Sequence, residues 1–206
     1  MGIYRERVLP RLIDRACRTP ELAQWRAGVT SGLAGRVVEI GFGSGLNLAH
    51  YPPEVERVVA IEPSALAMRL AAQRVSESDL AVEQSAVEAI EDASADAALS
   101  TFTLCTIPDV EQALAQLLRV IKPGGSFHFL EHGLAPDAGV VRWQQRLDGL
   151  QGRLAGGCHL TRDIPALVAA SGFKIERLEQ RYAQGPRPWA WFTSGVARNP
   201  TGPKGP

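Results

Sequence analysis

The stretch VVEIGFGSGLNLAHYP, Val37 to Pro52, decides how the rest of the chain is read. Its first four residues are apolar except for Glu39, and they run straight into Gly41, Gly43 and Gly45. A short apolar run ended by glycine reads as a buried strand of a parallel sheet. In an open α/β sheet the carboxyl end of such a strand borders the crevice where ligands bind, and glycines there let backbone N–H groups approach without a Cβ in the way.

The same pattern recurs outward from this loop. RVVEI (36–40), RVVAIE (57–62), AALST (97–101) and SFHFLE (126–131) read as buried parallel strands, with LAVEQ (80–84) a weaker fifth. Helical segments lie between them, one opening at Ser64 and running to Val75, one opening at Asp109 and stopped by Pro123 and its glycines at Gly125. Two further helices are expected over 137–154 and 163–172, then closing strands over 173–182 and 189–198 that pair as an antiparallel hairpin. The fold class is therefore α/β, a doubly wound, mostly parallel seven-stranded sheet with a C-terminal antiparallel hairpin. One domain over 1–198 is expected, with a helical N-terminal lid or extension (1–30), a ligand-binding core (36–133) and an acceptor-side region with the hairpin (134–198). The proline- and glycine-rich tail, 199–206, reads as disordered.

Composition narrows the partners. Lysine plus arginine and aspartate plus glutamate both number 22 in 206 residues, so no net field favours nucleic acid or an anionic surface, and a small-molecule partner is expected. Cys17, Cys105 and Cys158 show no paired spacing, which suits a reducing, cytoplasmic setting. No apolar run reaches the roughly 20 residues of a membrane span. Ile3, Tyr4, Val8, Leu12 and Ile13 fall on one helical face with arginines interleaved. That face either packs on the domain as a lid or touches a membrane surface peripherally.

The glycine spacing then narrows the ligand. A dinucleotide loop needs G-x-G-x-x-G, whereas here the spacing is G-x-G-x-G and Leu46 occupies the last glycine position. Glu39 inside the strand opposes a phosphate and suits a cation. Glu62, 17 residues past Gly45 at the end of the second strand, suits ribose hydroxyls. A ligand with a ribose, a positive charge and no phosphate meets all three conditions.

VVEIGFGSG resembles the first motif of the class I S-adenosylmethionine-dependent methyltransferases, and VVAIEPS resembles their second. SAVEAIEDASADAALSTFTLCTIPD (85–109) and LLRVIKPGGSFHFLEHG (117–133) are similar to the motifs that follow, in order and at family spacing. The resemblance implies a Rossmann-like methyltransferase fold with S-adenosyl-L-methionine as cofactor. It implies that Gly41, Gly43 and Gly45 surround the methionine part, and that Glu39 organises the loop or meets the ammonium. Phe42 replaces the usual small residue between the glycines, and Asn47 becomes a pocket residue or a local backbone partner. Glu62 would hold the ribose with Pro63 against the adenine, Ser85, Ala86 and Val87 would flank the adenine, and Thr101, Phe102 and Thr103 would close the floor. Ser85 stands where the family usually has an acid.

The segment 131–163 resembles one subgroup, the alkyl-thiol S-methyltransferases and their soluble bacterial relatives, through LCTIPD, EHG, the pair Trp143–Gln144 and GGCHLTRD. The implied activity is methyl transfer to a small, apolar acceptor, most specifically a thiol. C- or O-methylation of a quinone- or phenol-like metabolite is the alternative within the class, with a nicotinamide oxidoreductase or a non-catalytic cofactor-binding module outside it. His132, at the end of the fifth strand, has an ordinary pKa near ~6.5 and serves as base or acceptor orienter, or shapes the loop by hydrogen bonding. Trp143, Cys158 and His159 fall on the substrate side, or else brace helices. Cys158 and His159 lack zinc spacing, with no second cysteine nearby in sequence, so no metal is expected.

Overall fold

A computed structural model of the chain describes residues 4–200. Ile3 of the N-terminal stripe and positions 201–206 of the expected tail lie outside the described residues.

Seven strands form one sheet in the order β3-β2-β1-β4-β5-β7-β6. In chain order they are β1 Gly35–Ile40, β2 Val55–Ile61, β3 Ala81–Gln84, β4 Ala95–Thr101, β5 Ile121–His132, β6 Lys174–Tyr182 and β7 Trp191–Arg198. The first five run parallel, and β7 pairs antiparallel with both β5 and β6. The order turns back between β1 and β4, and the crevice at that switch point is where the glycine loop emerges.

Strict alternation along the strands divides the core into two layers. Val38, Val59, Phe127 and Phe129 face one side, against Leu114, Leu117, Ile164 and Val168. Val37, Val58 and Leu130 face the other, against Trp25, Val29 and Ala71. Each fully buried side chain of this size contributes about 1.5–3 kcal/mol, so both faces must stay covered by helices for the sheet to persist.

The helices are α1 Leu9–Ala16, α2 Pro20–Thr30, α3 Ala65–Ser76, α4 Val110–Val120, α5 Ala138–Leu154, α6 Ile164–Ala170 and the single turn α7 Arg187–Ala190. Ser64 Oγ accepts from Ala67 N at 3.2 Å and Asp109 Oδ1 from Gln112 N at 2.9 Å, so both expected caps start their helices. Among the described residues no helix is long and apolar enough to cross a membrane.

Three local expectations need correction. The helix expected to continue to Gly125 stops at Val120, because β5 already begins at Ile121. Asn199 takes up the freed carbonyls, donating from Nδ2 to Leu118 O at 3.1 Å and Ile121 O at 2.7 Å. Asn199 is buried, so the expected disorder does not hold at that residue. Trp189, expected on the last strand, sits on α7 and donates from Nε1 to Gln151 Oε1 at 3.0 Å. No full helix follows the glycine loop, only a three-residue 3₁₀ turn at Leu48–His50, so an anion would find no helix dipole there.

Candidate active site

The glycine loop is folded by contacts that leave no room for side chains. Gly41 has φ +73°, and a Cβ there would fall 2.0 Å from Thr103 Oγ1, so the loop packs directly on the end of β4. Gly43, at φ +58°, faces open space, its nearest neighbour being Gly41 O at 3.8 Å. Its amide donates to Glu62 Oε2 at 2.9 Å, and Ser64 N donates to Oε1 at 2.7 Å. Burial holds the Glu62 carboxyl above its ordinary range, and these two backbone bonds pull the other way. A carboxylate offers about four lone-pair sites, so Glu62 keeps capacity for a ligand's hydroxyls.

A cavity of about 550 Å³ opens over this loop, in the range of small-molecule sites. Of the residues expected at the cofactor, Gly41, Phe42, Gly43, Asn47, Glu62, Pro63, Thr101, Phe102 and Thr103 line it. Gly45 lines a neighbouring cavity of about 470 Å³ instead. Ser85, Ala86 and Val87 are not among the lining residues, and Val87 O accepts from Arg119 Nη2 at 2.9 Å.

Glu39 lies beneath the loop, fully buried. Its Oε1 accepts from Asn47 Nδ2 at 2.6 Å and its Oε2 from Tyr51 Oη at 2.6 Å. Burial pushes its carboxyl up to about 7, against the opposing pull of those two bonds and of Arg26. Asn47 Nδ2 also donates to Thr101 Oγ1 at 3.0 Å, which fixes the amide's orientation. Glu39 therefore organises the loop from below and does not line the cavity.

Arg26 completes this network from α2, donating from Nη1 to Asn47 Oδ1 at 2.8 Å and Thr101 Oγ1 at 3.0 Å. It is 5% exposed and lines the cavity, and its Nε is buried with no hydrogen-bond partner among the described residues. Burial lowers its pKa, yet a guanidinium keeps its charge in a protein. No sequence motif marks Arg26, because its partners lie 21 and 75 residues away.

Helix α1 crosses the mouth of the crevice through Leu9, Pro10, Ile13, Asp14 and Cys17. Asp14 fastens it to the loop: Oδ1 accepts from Ser44 Oγ at 2.6 Å and pairs with Arg74 Nη2 at 3.0 Å. Burial is the largest single influence on Asp14 and raises its pKa, but the Ser44 and Arg18 bonds and the charge of Arg74 outweigh it and leave the carboxyl below its usual range. Of the expected packing stripe, Tyr4, Val8 and Leu12 are exposed, and Ile13, exposed as well, also lines the cavity.

Beside Arg26 the cavity wall is aromatic. Phe102 holds φ +54°, a left-handed conformation that costs a non-glycine residue about 1–3 kcal/mol. Its ring centroid lies 5.0 Å from His132 and 5.2 Å from Phe192, and Arg26 Cζ sits 5.7 Å over it. Strain at this position is compatible with a ring that must be held against the cavity. Glu131, fully buried at the end of β5, anchors the turn after β4 by accepting from Ser100 Oγ at 2.7 Å, Thr103 N at 3.1 Å and Cys105 N at 3.3 Å.

His132 is half-buried, and its Nδ1 is buried without a hydrogen-bond partner among the described residues. The expectation that no second cysteine accompanies Cys158 is corrected: the fold brings Cys105, 53 residues away, to a sulfur–sulfur distance of 3.7 Å. Sequence spacing cannot show such a contact, because the turn after β4 and the loop after α5 meet only once the sheet has formed. The Cys105 bond, then His132, hold the Cys158 thiol below its usual range, and the same bond together with burial pushes Cys105 well up.

Two other expected substrate-side residues stand apart from this cluster. Trp143 is 55% exposed on α5 beside Arg146. His159 pairs through Nδ1 with Asp148 Oδ2 at 2.9 Å. Gln144, by contrast, is fully buried, accepting from Ala135 N at 3.0 Å and donating to Gly133 O at 3.0 Å and Pro188 O at 3.1 Å. It braces the segment that follows His132.

A family model described as a methyltransferase domain matches residues 38–129. The thiol S-methyltransferase TMT1A of Homo sapiens is 32% identical over 162 residues, covering 74% of this chain and 65% of that protein. The thiol S-methyltransferase TMT1B of Rattus norvegicus is 28% identical over 167 residues, covering 77% and 66% respectively. The chain therefore spans just under two thirds of the length of these two relatives. A crystal structure of an S-adenosylmethionine-dependent methyltransferase from Thermotoga maritima, described as a possible histamine N-methyltransferase, superposes with TM-score 0.67 at 19% identity, covering 95% of this chain and 99% of that one. Its likeness bears on the fold alone. Two charged groups line the cavity, the Arg26 guanidinium and a Glu62 carboxylate with spare lone pairs, and they suit the carboxylate and ribose ends of S-adenosylmethionine. The family-model match marks residues 38–129 as a methyltransferase domain, and the chain resembles the thiol S-methyltransferases.

Proposed function

We propose that the chain transfers the methyl group of S-adenosylmethionine to a small, apolar thiol. One observation carries the reading: a single cavity is lined by the Glu62 carboxylate, the Arg26 guanidinium and the Phe102 ring, with Arg26 over that ring and His132 and Phe192 packed behind it. Both relatives are thiol S-methyltransferases, which supports the choice of acceptor.

When bound, the cofactor supplies an electrophilic methyl group on a sulfonium whose departure needs no acid. The chain's contribution is then positioning and exclusion of water, which together can account for much of the rate. Glu62 accepts the ribose hydroxyls, with Pro63 beside the base. Ser85, Ala86 and Val87 meet the adenine only if it extends past the cavity toward the end of β3. Arg26, held by Asn47 and Thr101, meets the carboxylate, and Glu39 keeps that cationic side chain in place from below. Phe102 and Phe192 form a dry wall where an apolar acceptor replaces water, and His132 orients its nucleophilic atom. Asp14 holds α1 across the opening.

The test is a labelled-methyl transfer assay over thiols, phenols, quinols and amines. Label on thiols above the other classes supports the reading, and label on phenols or quinols alone replaces it with O- or C-methylation. S-adenosylhomocysteine binding without transfer to any class would leave a non-catalytic binding module, and binding of NAD in its place would return the chain to the oxidoreductases.

A further inference from the structure

Three soft ligands converge at the acceptor end of the crevice. One ligand atom each from Cys105, His132 and Cys158 lies within 4.8 Å of the other two. The two sulfurs stand 3.7 Å apart. Two thiolates bound to one tetrahedral zinc at about 2.3 Å each stand about 3.8 Å apart, whereas a disulfide requires about 2.05 Å. The observed separation fits two thiolates on one metal as well as the thiol–thiol hydrogen bond the pair makes without one. His132 adds one ring nitrogen to the cluster, and its Nδ1 is buried with no hydrogen-bond partner among the described residues.

The scaffold around the cluster is built to hold it. Cys105 is fixed through its amide to the buried Glu131 carboxylate at 3.3 Å, and its carbonyl accepts from His159 N at 2.8 Å. That second bond ties the turn after β4 to the segment carrying Cys158. Gly157, at φ +104°, keeps the two backbones close, since a Cβ there would lie 2.9 Å from Thr106 O. Leu160, Ala155 and Trp189 close an apolar shell over the sulfurs, which strengthens charge interactions inside it. Ala155, which packs against the sulfurs, also lines the cavity together with Thr106 and Gly156, so this wall stands between the cluster and the cavity.

We propose that Cys105, His132 and Cys158 bind one zinc ion, and that its fourth position takes the acceptor thiol as a thiolate. Three protein ligands with an open fourth position is the arrangement of catalytic rather than structural zinc. The inference rests on the reading of the chain as a thiol methyltransferase. It assigns His132 to holding and orienting rather than to accepting the proton.

The chemistry balances. The acceptor thiol displaces water from zinc, a sulfur–zinc bond forms and the thiol proton leaves to solvent. A sulfur lone pair then forms the new bond to the methyl carbon while the carbon–sulfonium bond breaks, its electron pair remaining on the departing sulfur as S-adenosylhomocysteine. The thioether product, a neutral and poor zinc ligand, is replaced by water. Two thiolates and a neutral imidazole leave the zinc site uncharged, and the bound acceptor makes it anionic opposite a sulfonium. With a free thiol near pKa 8.5, only about 3% is thiolate at pH 7, so full conversion is worth about 30-fold there and less at higher pH.

The test uses the whole chain. Zinc-equilibrated, desalted protein is expected to retain one zinc per chain, and cobalt-substituted protein to show thiolate-to-cobalt charge-transfer absorption that changes on adding an alkyl thiol but not a phenol. Cys105→Ser and Cys158→Ser are expected to lose both signals while binding S-adenosylhomocysteine like the wild type. If either variant fails to fold, chelation of the wild type takes its place and should lower thiol turnover about 30-fold at pH 7, with the loss shrinking as pH approaches 9. Absence of zinc and of the cobalt band in reduced protein overturns the proposal, as does a cysteine pair that oxidises to a disulfide and takes up no metal once reduced. Full thiol turnover by metal-free protein overturns the zinc site and leaves the thiol reading standing. Bound zinc with methylation of phenols alone overturns the thiol reading and with it the role given to the fourth position.

Discussion

Arg26→Met isolates the least visible part of the cofactor site. The substitution keeps a long apolar stem and removes a guanidinium that is 5% exposed. It also deletes the Nη1 bonds to Asn47 at 2.8 Å and Thr101 at 3.0 Å. Truncating one partner of a buried charge pair costs about 2–5 kcal/mol, which corresponds to about 30- to 5,000-fold in Kd. Part of that loss would come from a disturbed Asn47–Thr101 network, which any ligand would feel. Calorimetric titration with two ligands separates the contributions: S-adenosylhomocysteine and its decarboxylated analogue, which differ only in the carboxylate. The wild type should favour the first, and Arg26→Met should abolish that preference, the coupling being read as a double-mutant cycle. Equal weakening of both ligands would refute a contact between Arg26 and the carboxylate and reduce this residue to support of Asn47.

Three further outcomes follow from the same geometry. Glu62→Ala should weaken S-adenosylhomocysteine by about 1–3 kcal/mol through loss of the hydroxyl acceptor, and unchanged affinity in the same titration removes the ribose role. Glu39 titrates near 4.5 when unfolded and near 7 when buried, so the folded state binds the extra proton between them. Stability therefore falls as pH rises through this window, by at most about 1.4 kcal/mol per pH unit. Urea unfolding of Glu39→Gln should show that slope flattened relative to the wild type, and an unaltered slope would contradict the assignment. Gln144→Ala should lower unfolding free energy by about 2–4 kcal/mol, since Ala135 N, Gly133 O and Pro188 O lose their partner in a buried site; a change under about 0.5 kcal/mol would show that water replaces the amide without cost.

The fold was legible because its signals are local. The apolar run that buries Val37 and Val38 on opposite faces, the caps at Ser64 and Asp109, and the glycines after β1 each act within a few residues. The glycine-loop and ribose-side residues were legible for the same reason, as they follow strand ends. Contacts between segments were not. Arg26 reaches Thr101 across 75 residues, Cys105 meets Cys158 across 53, and Asn199 caps α4 from the chain's far end. Glu39 was recognised as special, yet its direction was not, since a strand residue's face depends on which partner covers it. Trp143 and His159 show the converse error: neighbours of Gln144 and Cys158 in sequence, they turn outward because a helix or loop presents adjacent residues on different sides.

The central claim is that sulfur is the atom methylated, and it is tested most directly by a matched pair of acceptors, thiophenol and phenol, under initial-rate conditions with S-adenosylmethionine saturating. The two differ in one atom, so shape and aromatic contact with Phe102 are held constant. The account predicts methylated thiophenol as product, with kcat/KM at least about tenfold above phenol, a transition-state preference of about 1.4 kcal/mol or more. Equal values, or faster methylation of phenol, would contradict it.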